Sequence, residues 1–378
     1  MLAVDSRCRS VGRIVIVIVI ALFMLSCTAS LYALDKSRTD CIPSFPFKES
    51  WWGADAAYSI PLPDGRSVWI FGDTLYGERR TVEGSDPRMV RNSIGVSTCD
   101  ERGGWTVDYV IRRDDKEQPQ DFFQAQQKDT WYWALDGFVH KNDLWVTLLC
   151  VRNAPKTTSA ALGFETCGAD LAKVSGLEND PQHWSVKYFP LVAESVRAYP
   201  SATAVVEGEF AYIFALLESD SRPMLLTRIP LDGLDAPQEH LQYLSKSGIW
   251  KPGLTPADAM HVMKHGNTEM TVRYHPALKK WVSILNYPKL FSDKIVVRTA
   301  PRLAGPWSEG KVIYRIPEMQ KGEAGYDKDT FCYAGKEHPE FRRSGSLVIT
   351  YACNTMNVQK LTSKLDIYFP KAVRVRFP

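Results

Sequence analysis

The stretch GADAAYSIPLPDGRSVWIFGDT at residues 53–74 places the polar turn PDGRS between two short apolar runs. A polar turn followed by a short run of aromatic and β-branched residues is typical of a β-hairpin. The arrangement returns four times, with LWVTLLC at 144–150, AYIFALLE at 211–218, KWVSILNY at 280–287 and SLVITYAC at 346–353. The sequence therefore predicts five copies of one antiparallel unit.

The spacing of the five copies indicates one closed architecture. The intervals are 76, 67, 69 and 66 residues, measured between Trp69, Trp145, Tyr212, Trp281 and Leu347. Each interval is long enough for four strands, and outer strands are predicted at WTVDYVIRR (105–113), HWSVKYFPL (183–191) and GKVIYRI (310–316). Helical periodicity is scarce, and a turn or two of helix is predicted only at DGLDAPQEHLQYL (232–244) and TPADAMHVMK (255–264). We therefore predict an all-β fold, a five-bladed β-propeller of four-stranded antiparallel blades, over residues 51–378.

The N-terminus has the pattern of a secretory signal peptide. A basic stretch that ends at Arg13 is followed by the apolar run IVIVIVIALFML (14–25) and then by small and polar residues. The run is too short to span a bilayer comfortably. Residues 1–27 are therefore predicted to be a signal peptide, and residues 28–50 an N-terminal linker.

The processing site stays open at this stage. Cleavage before Cys27 gives a lipid-anchored protein, and cleavage after Ser30 or Ala33 gives a soluble one. An uncleaved membrane anchor is the remaining alternative. Apart from that alternative, the predicted protein is exported, and it is then periplasmic, anchored to the outer membrane or extracellular.

The composition argues against several classes of partner. Lys and Arg number 46 against 43 Asp and Glu, a formal net charge of +3, and loss of residues 1–27 removes three arginines and one aspartate. So small a charge predicts no nucleic-acid partner. Gly-rich phosphate loops and a GxSxG motif are missing, and HVMKH (261–265) lacks the Glu of a zinc protease. We therefore predict neither cofactor nor metal. The expected oligomeric state is a monomer.

Six cysteines follow Cys27, an even number that suits an oxidising compartment. Two pairs flank turn-like segments, so the members of each pair can face each other across a hairpin. The predicted disulfides are Cys150–Cys167 and Cys332–Cys353, with Cys41–Cys99 as a candidate third. The alternative is buried free thiols.

The innermost strand of each propeller blade lines the central channel, so residues at the start of these strands meet at one mouth. Counting back from the five reference positions selects Asp55, Asp136, Ser201 with Tyr199, Glu269 and Tyr333. Asp73 joins them because Asp55 and Asp73 lie nine residues before and after Asp64 of the turn. Paired strands return to the same end of a sheet, so these two aspartates are predicted to be neighbours within one residue of register.

Several carboxylates at one mouth favour glycoside hydrolysis. Two close carboxylates in a desolvated cleft cannot both ionise freely, so one pKa rises while the other stays low. Hydrolysis needs this division, with a protonated acid for the leaving oxygen and a carboxylate for water or the anomeric carbon. The predicted catalytic residues are Asp55, Asp73 and Glu269. The predicted substrate-binding residues are Trp52, Tyr58, Asn92, Trp133, Asp136, Tyr199, Tyr333 and His338.

Each of these residues also has a plainer structural interpretation. An aspartate beside a turn is more often a strand-end cap, and a tryptophan in a blade is usually part of the core. His338 in KEHPEF (336–341) is more often a hydrogen-bonded structural histidine. The convergence of several acids and aromatic residues on one predicted mouth favours the functional interpretation.

A resemblance to a known family rests on five motifs, namely GADAAYSIPLPDGRSVWIFGDT (53–74), RNSIGVS (91–97), YWALDGF (132–138), GNTEMTVRYHP (266–276) and YAGKEHPEF (333–341). Together they resemble a bacterial family of five-bladed propellers long catalogued only as domains of unknown function. Some members are endo-acting D-arabinanases that cut mycobacterial arabinan, so the resemblance implies a glycoside hydrolase of arabinan-type furanosides. The leading catalytic pair of that family matches Asp55 and Asp73, and Glu269 matches an acid that recurs in the fourth-blade motif.

Two other classes of function remain open. A non-catalytic glycan-binding propeller would present the same mouth to a polysaccharide or oligosaccharide without turnover. A polysaccharide lyase would need a base near an acid neutraliser, and Tyr333 or Lys336 could take that role. Product analysis separates the three classes, because only a hydrolase releases reducing ends without new ultraviolet absorbance.

Overall fold

The computed structural model describes most of the chain beyond its N-terminal segment, namely residues 41–77, 88–100, 102–155, 163–355, 357, 360–361 and 367–377. The predicted signal peptide, Cys27 and most of the predicted linker lie outside the described residues. In the part of the chain that is described, no helix has both the length and the apolar character needed to cross a membrane.

Five antiparallel sheets follow one another along the chain. The first contains β1 (Trp51–Pro61), β2 (Ser67–Tyr76), β3 (Arg88–Val90), β4 (Ser93–Cys99) and β5 (Trp105–Val110). A ribbon of β6 (Arg112–Arg113) and β7 (Pro119–Gln120) leads to the second, with β8 (Thr130–His140), β9 (Asp143–Asn153), β10 (Phe164–Ser175) and β11 (Ser185–Ala193). The third contains β12 (Ala198–Glu207), β13 (Phe210–Leu217), β14 (Met224–Pro230), β15 (Gln242–Leu244) and β16 (Trp250–Pro252).

The last two sheets complete the ring. The fourth contains β17 (Thr271–His275), β18 (Lys280–Asn286), β19 (Lys294–Ala300) and β20 (Lys311–Arg315). The fifth contains β21 (Thr330–Glu337), β22 (Ser346–Thr355) and β23 (Pro370–Arg376). The helical elements are short, namely α1 (Pro237–His240) and the 3₁₀ turns Pro181–His183, Glu194–Val196, Leu231–Gly233, Pro317–Met319 and Pro339–Phe341.

The five-bladed all-β prediction is confirmed. The five aromatic runs form the second strand of each blade, and the three predicted outer strands are β5, β11 and β20. The predicted four strands hold for most blades, since the first sheet has four in its main order and adds the short β3 beside β2. The third sheet has five strands, and the described part of the fifth has three. Where a turn or two of helix was predicted at 255–264, the chain forms a single turn, closed by the Ala259 N–H on the Thr255 carbonyl at 3.0 Å. The segment then bridges Ala259 to Ser245 and Met263 to Met224.

The blades pack face to face around a ring of inner strands. The inner strands β1, β8, β12 and β17 contact one another in this order, and β21 contacts both β1 and the fourth blade. Because both faces of a blade are covered, β2 is buried along almost its whole length, which explains its unbroken apolar run. Trp69 of the first blade stacks on Phe341 of the last, with ring centroids 5.9 Å apart. Such aromatic contacts, each worth about 0.5–1.5 kcal/mol, help to close the ring.

All three predicted disulfides are present. Cys150–Cys167 joins β9 to β10, and Cys332–Cys353 joins β21 to β22 at directly opposite positions. Cys41–Cys99 ties the segment that precedes β1 to the end of β4. Two of the bonds therefore clip hairpins within blades, and the third fastens the start of the described chain to the first blade.

Candidate active site

The inner strands of four blades are interrupted in a similar way. Register shifts lie between Ala54 and Ala56, Ala134 and Gly137, Pro200 and Thr203, and Tyr333 and Lys336. Bulges of this kind re-aim side chains and are common beside active sites. Ala56 and Ala57 follow Asp55 with a φ of 61°, a left-handed conformation that alanine adopts only where its surroundings enforce it. The first-blade bulge therefore sets the direction of Asp55.

The hairpin of the first blade brings Asp55 and Asp73 together. Ala54 pairs with Thr74 across the β1–β2 ladder, so the next residue, Asp55, lies opposite Asp73 and Gly72. The glycine makes the close approach possible, because a Cβ on Gly72 would lie 2.2 Å from Asp55 Oδ1. The two aspartates are the neighbours that the hairpin geometry predicts.

The surroundings of Asp55 favour its protonated form. Burial raises the pKa of Asp55 well above its usual range, and the charges of Asp73 and Glu269 raise it further. The Tyr333 hydroxyl donates a 2.7 Å hydrogen bond to Asp55 Oδ2, and this bond and the charge of Lys336 oppose the rise in part. Asp55 is therefore a carboxyl that holds its proton to a much higher pH than an exposed aspartate.

The surroundings of Asp73 disfavour its ionised form less than those of Asp55 do. Burial raises its pKa to about 6, while the Arg91 guanidinium and the Trp133 side chain act in the opposite direction. Arg91 Nη1 lies 3.4 Å from Asp73 Oδ2, and the guanidinium stacks 4.3 Å from the centroid of the Trp131 ring. Asp73 is therefore the member of the pair that ionises first.

A third carboxylate, Glu269, is held by a buried lysine. Lys336 Nζ lies 3.3 Å from Glu269 Oε1 and donates a 2.8 Å hydrogen bond to the Ala334 carbonyl. The same ammonium lies 4.6 Å from the centroid of the Tyr58 ring. Burial lowers the pKa of Lys336, although Glu269 acts in the opposite direction. The predicted residues Glu269 and Tyr58 therefore share one cation that also faces Asp55.

Asp136 differs from its counterpart in the first blade, because its carboxylate is already fully engaged. It forms a bidentate pair with Arg273, with oxygen to nitrogen distances of 2.7 and 2.8 Å. The Thr203 hydroxyl and the backbone N–H of Ala204 also donate to Oδ2, at 2.6 and 3.0 Å. Asp136 was predicted to bind substrate, and these contacts instead point to a structural role joining three blades. Removal of one partner of such a pair costs about 3–5 kcal/mol.

Asn92 and His338 are likewise enclosed by protein groups. The Asn92 side chain donates to the backbone carbonyls of Phe123 and Tyr132 at 3.1 and 3.0 Å. His338 lies between two hydroxyls, 2.7 Å from Ser59 Oγ and 2.7 Å from Thr350 Oγ1. Burial lowers the pKa of His338 well below its usual value, so the ring is neutral. The structural interpretation fits both residues better than the predicted contact with substrate.

Three more of the predicted substrate-binding residues are buried aromatics with hydrogen-bonded tips. Trp52 Nε1 donates to the Gly77 carbonyl at 3.0 Å, and Tyr58 donates to the Ala202 carbonyl at 2.9 Å. Tyr199 donates to the Glu194 carbonyl, in the 3₁₀ turn that precedes its strand, at 3.4 Å. Of the eight predicted substrate-binding residues, Trp133 and Tyr333 therefore have the contacts that place them beside the aspartate pair.

Sequence reasoning did not select several side chains that shape this mouth. Arg91 is the first residue of the motif RNSIGVS and had no predicted role, and Lys336 was predicted only as a candidate lyase base. The Tyr368 hydroxyl donates a 2.7 Å hydrogen bond to the backbone carbonyl of Asp73 from 295 positions along the chain. Phe291 packs on Tyr333 with ring centroids 5.7 Å apart. Arg91, next to Asn92 in RNSIGVS, and Lys336, within YAGKEHPEF, had a local signal that could have pointed to them. Tyr368 and Phe291 had none.

A metal site has little support among the described residues. Within the described ranges, the group of three potential ligands that lie close enough together is Glu318 with Cys332 and Cys353. The two sulfurs are bonded to each other, and a disulfide does not supply the thiolates that a metal prefers. The donor set therefore fits no metal ion.

The raised pKa of Asp73 predicts an unusual dependence of stability on pH. The folded value of about 6 exceeds the ordinary 3.8, so the contribution of Asp73 to stability is full below pH 3.8 and is lost as the pH rises through about 6. Asp73→Asn removes this loss. We expect the free energy of unfolding of the variant, relative to that of the wild type, to rise by on the order of 1–3 kcal/mol from pH 4 to pH 8. Urea unfolding at a series of pH values measures this difference.

Asp64 is a control of opposite sign at the other end of the same hairpin. Its hydrogen bond with Arg66 lowers its pKa, so its contribution is present above the unfolded value and is lost as the pH falls. Asp64→Asn should therefore lose a little stability at neutral pH. A stability difference between Asp73→Asn and the wild type that stays constant from pH 4 to pH 8 would contradict the buried environment of Asp73.

The fold and the site define the class, which is a five-bladed propeller with paired aspartates of unequal pKa at the mouth of its ring. Residues 45–376 match the model of the family described as "Domain of unknown function (DUF5005)". Because the match covers most of the chain, the chain belongs to that family. No curated protein sequence matches the chain.

Solved structures from several sources have a similar fold. A crystal structure named "putative hydrolase" from Bacteroides ovatus ATCC 8483 aligns with a TM-score of 0.67 and 18% identity, over 91% of this chain and 88% of that one. An exo-1,5-alpha-L-arabinanase from a bovine ruminal metagenomic library aligns with a TM-score of 0.43 and 10% identity, over 88% of this chain and 95% of that one. A xylan beta-1,4-xylosidase from Bacillus halodurans C-125 aligns with a TM-score of 0.45 and 8% identity, over 82% of this chain and 50% of that one. At these identities the likeness is one of fold alone.

Proposed function

We propose that this protein is a glycoside hydrolase in which Asp55 is the general acid and Asp73 the second catalytic carboxylate. One observation carries the proposal: the two aspartates lie side by side, yet their environments separate their pKa values. Asp55 is buried against Tyr333, whereas Asp73 faces Arg91. A protonated acid beside an ionised carboxylate is the pair that cleavage of a glycosidic bond requires.

The proposed reaction assigns a separate task to each carboxyl. Asp55 gives its proton to the leaving glycosidic oxygen as the bond from that oxygen to the anomeric carbon breaks. Asp73 either takes a proton from the attacking water or bonds to the anomeric carbon, and the separation of the two carboxyls at the substrate decides which. Once Asp55 has lost its proton, the Tyr333 hydroxyl and the nearby charge of Lys336 stabilise the new carboxylate.

The substrate and the cellular location are further parts of the proposal. The motif resemblance to propellers that include endo-D-arabinanases supports an arabinan-type furanoside, cleaved as a polysaccharide or oligosaccharide. The three disulfides support an oxidising compartment, as expected of an exported protein. Lipidation at Cys27 remains a prediction on residues outside those that the structure describes.

The contacts of the two candidate lyase bases support hydrolysis over elimination. Lys336 is completely buried and paired with Glu269, so it has no free path to a sugar C–H bond. Burial and the charge of Asp55 raise the pKa of Tyr333, which makes its phenolate scarce. A base needs access and a pKa near the working pH, and neither residue meets both conditions.

A screen of the purified protein on bacterial and plant glycans tests the proposal. We expect new reducing ends, measured by a copper-based assay, without an increase in ultraviolet absorbance. Unsaturated products would identify a lyase instead. Binding to a glycan without any product, at several pH values, would favour the non-catalytic propeller and overturn the enzymatic proposal.

The Arg91 guanidinium is expected to set the acidic limit of activity. Because Arg91 lowers the pKa of Asp73, Arg91→Gln should move the acidic limb of the kcat/KM profile to higher pH by about one unit. Arg91→Lys keeps a positive charge and should move it less. Arg66→Gln, at the far end of the same hairpin, is the matched control and should leave the limb in place. An unmoved limb in Arg91→Gln would show that Asp73 is not the group that titrates there.

A further inference from the structure

Three aromatic rings form a continuous surface beside the aspartate pair. Ring centroids lie 4.8 Å apart for Phe291 and Phe331, 5.7 Å for Phe291 and Tyr333, and 5.9 Å for Phe331 and Tyr333. Phe291 is 36% exposed, whereas Tyr333 is only 8% exposed. The rings therefore run from solvent at Phe291 to the interior at Tyr333, and we call this set the aromatic shelf.

The aromatic shelf is continuous with the candidate catalytic group. Tyr333 contributes its ring to the shelf and its hydroxyl to Asp55, with an oxygen to oxygen distance of 2.7 Å. Tyr333 therefore connects the shelf directly to the proposed general acid. Isolated exposed hydrophobic side chains are common and need no explanation, but three contacting rings that end at an acid are a different feature.

Hydrogen bonds hold the loop that carries Phe291 in place. The side chain of Asn286 donates to the Ser292 carbonyl at 2.9 Å and accepts from the Gly335 N–H at 2.7 Å. Ser292 Oγ donates to the Tyr287 carbonyl at 2.7 Å. The loop between β18 and β19 is thereby tied to the bulge of β21. A surface fixed in this way loses little conformational entropy when a ligand binds.

The charges around the shelf favour a ligand without charge. The carboxyls of Asp55, Asp73 and Glu269 lie at this mouth. Arg91 and Lys336 are the cations that contact them, and each is already paired with a carboxylate. A carboxylate on the ligand would meet like charges and would compete for cations in use, which costs affinity. A neutral sugar pays no such cost, and the C–H face of its ring is apolar.

We propose that the aromatic shelf binds one sugar unit of a neutral glycan chain next to the bond that is cleaved. The inference rests on the proposed hydrolase function and adds the position and the chemical class of the sugar. Phe291, the exposed ring, supplies the stacking face. Phe331 and Tyr333, which stack on each other, support it and connect it to Asp55. Uronate chains, the substrates of lyases, are excluded from the shelf by the charges around it.

Phe291→Ala tests the shelf in the full-length protein. Neutral arabino-oligosaccharides and xylo-oligosaccharides of increasing length serve as probes, with oligogalacturonides as the charged comparison. We expect the Kd, measured by calorimetry in the Asp55→Asn background to prevent turnover, to rise about tenfold for the neutral probes, the loss of one aromatic contact. Phe291→Leu keeps an apolar side chain and should also lose affinity, whereas Phe291→Trp should keep it.

Phe47→Ala is the matched control, since Phe47 is 48% exposed and lies before the first blade. It should change neither the melting temperature nor the Kd. If a neutral probe binds the parent protein and Phe291→Ala binds it as well as Phe47→Ala does, the shelf is not a sugar site. Tighter binding of oligogalacturonides than of neutral probes, or no binding of any neutral probe, also overturns the proposal.

Activity and binding fail independently in this design. A wild type that binds neutral probes through Phe291 but releases no product would leave the shelf standing and remove the hydrolase. If the wild type hydrolyses a neutral glycan and Phe291→Ala has the same KM, the hydrolase proposal stands and the shelf proposal is removed. Loss of affinity counts in favour only if circular dichroism shows that the Phe291→Leu variant, which is the less disruptive change, folds as the wild type does.

Discussion

Asp55→Asn and Asp73→Asn are each expected to lower turnover about a hundredfold or more while the fold stays intact. Asparagine is nearly isosteric with aspartate, but it can neither give up a proton at position 55 nor accept one at position 73. The hydrogen bond from Tyr333 can still reach the amide oxygen at position 55. The measurement is the initial rate on the glycan that the screen identifies, with melting curves to verify folding.

The hairpin of the first blade also provides the control. Asp64 lies in the β1–β2 turn, at the opposite end of the same two strands, and Asp64→Asn should keep essentially full activity. Glu269→Gln should be impaired, because it weakens the pair with Lys336 and changes the charge that faces Asp55. If both Asn variants at the mouth retain more than roughly a third of the wild-type turnover, the general acid and its partner lie elsewhere.

Gly72→Ala is expected to lower kcat by about a hundredfold although it adds a single methyl group. The new Cβ would lie 2.2 Å from Asp55 Oδ1, so the carboxyl must swing away from its position. Because the clashing atom is the end of a flexible side chain, the cost in stability should be small. The cost in rate is large, since a misplacement of about 1 Å in a reacting group can reduce turnover a hundredfold.

Gly77→Ala is the matched control for this prediction. A Cβ there would meet the Trp52 ring at 3.4 Å, which is an ordinary contact, and Gly77 directly follows the strand that contains Gly72. Its kcat and melting temperature should match those of the wild type. Full activity of Gly72→Ala, with a wild-type melting curve, would show that the observed position of Asp55 is not the one used in catalysis.

The sequence by itself determined the features that depend on neighbours in the chain. A hairpin pairs residues that are symmetric about its turn, so Asp55 and Asp73 could be placed together by counting from Asp64. The same logic placed two of the three disulfides and the second strand of every blade, and Cys41–Cys99 was the pair that remained. Polar turns followed by aromatic runs are local signals, and five of them at a regular spacing are enough to specify a five-bladed ring.

Only the tertiary structure decided which of the residues at the centre are open to a ligand. Asp55 and Asp136 hold corresponding places in their blades, yet Asp136 meets Arg273 from another blade and Asp55 meets Tyr333. The partners are far apart in the chain, so no local pattern reveals them.

The bulges of the inner strands add a second reason. A shift of one residue turns every following side chain to the other face of a strand, and the bulges beside Asp55 and Tyr333 leave no clear mark in the sequence. The network of Glu269, Lys336 and Tyr58 and the aromatic shelf arise from this geometry. Chemistry at the mouth therefore depends on how the first, second, fourth and fifth blades meet, which is settled only when the ring closes.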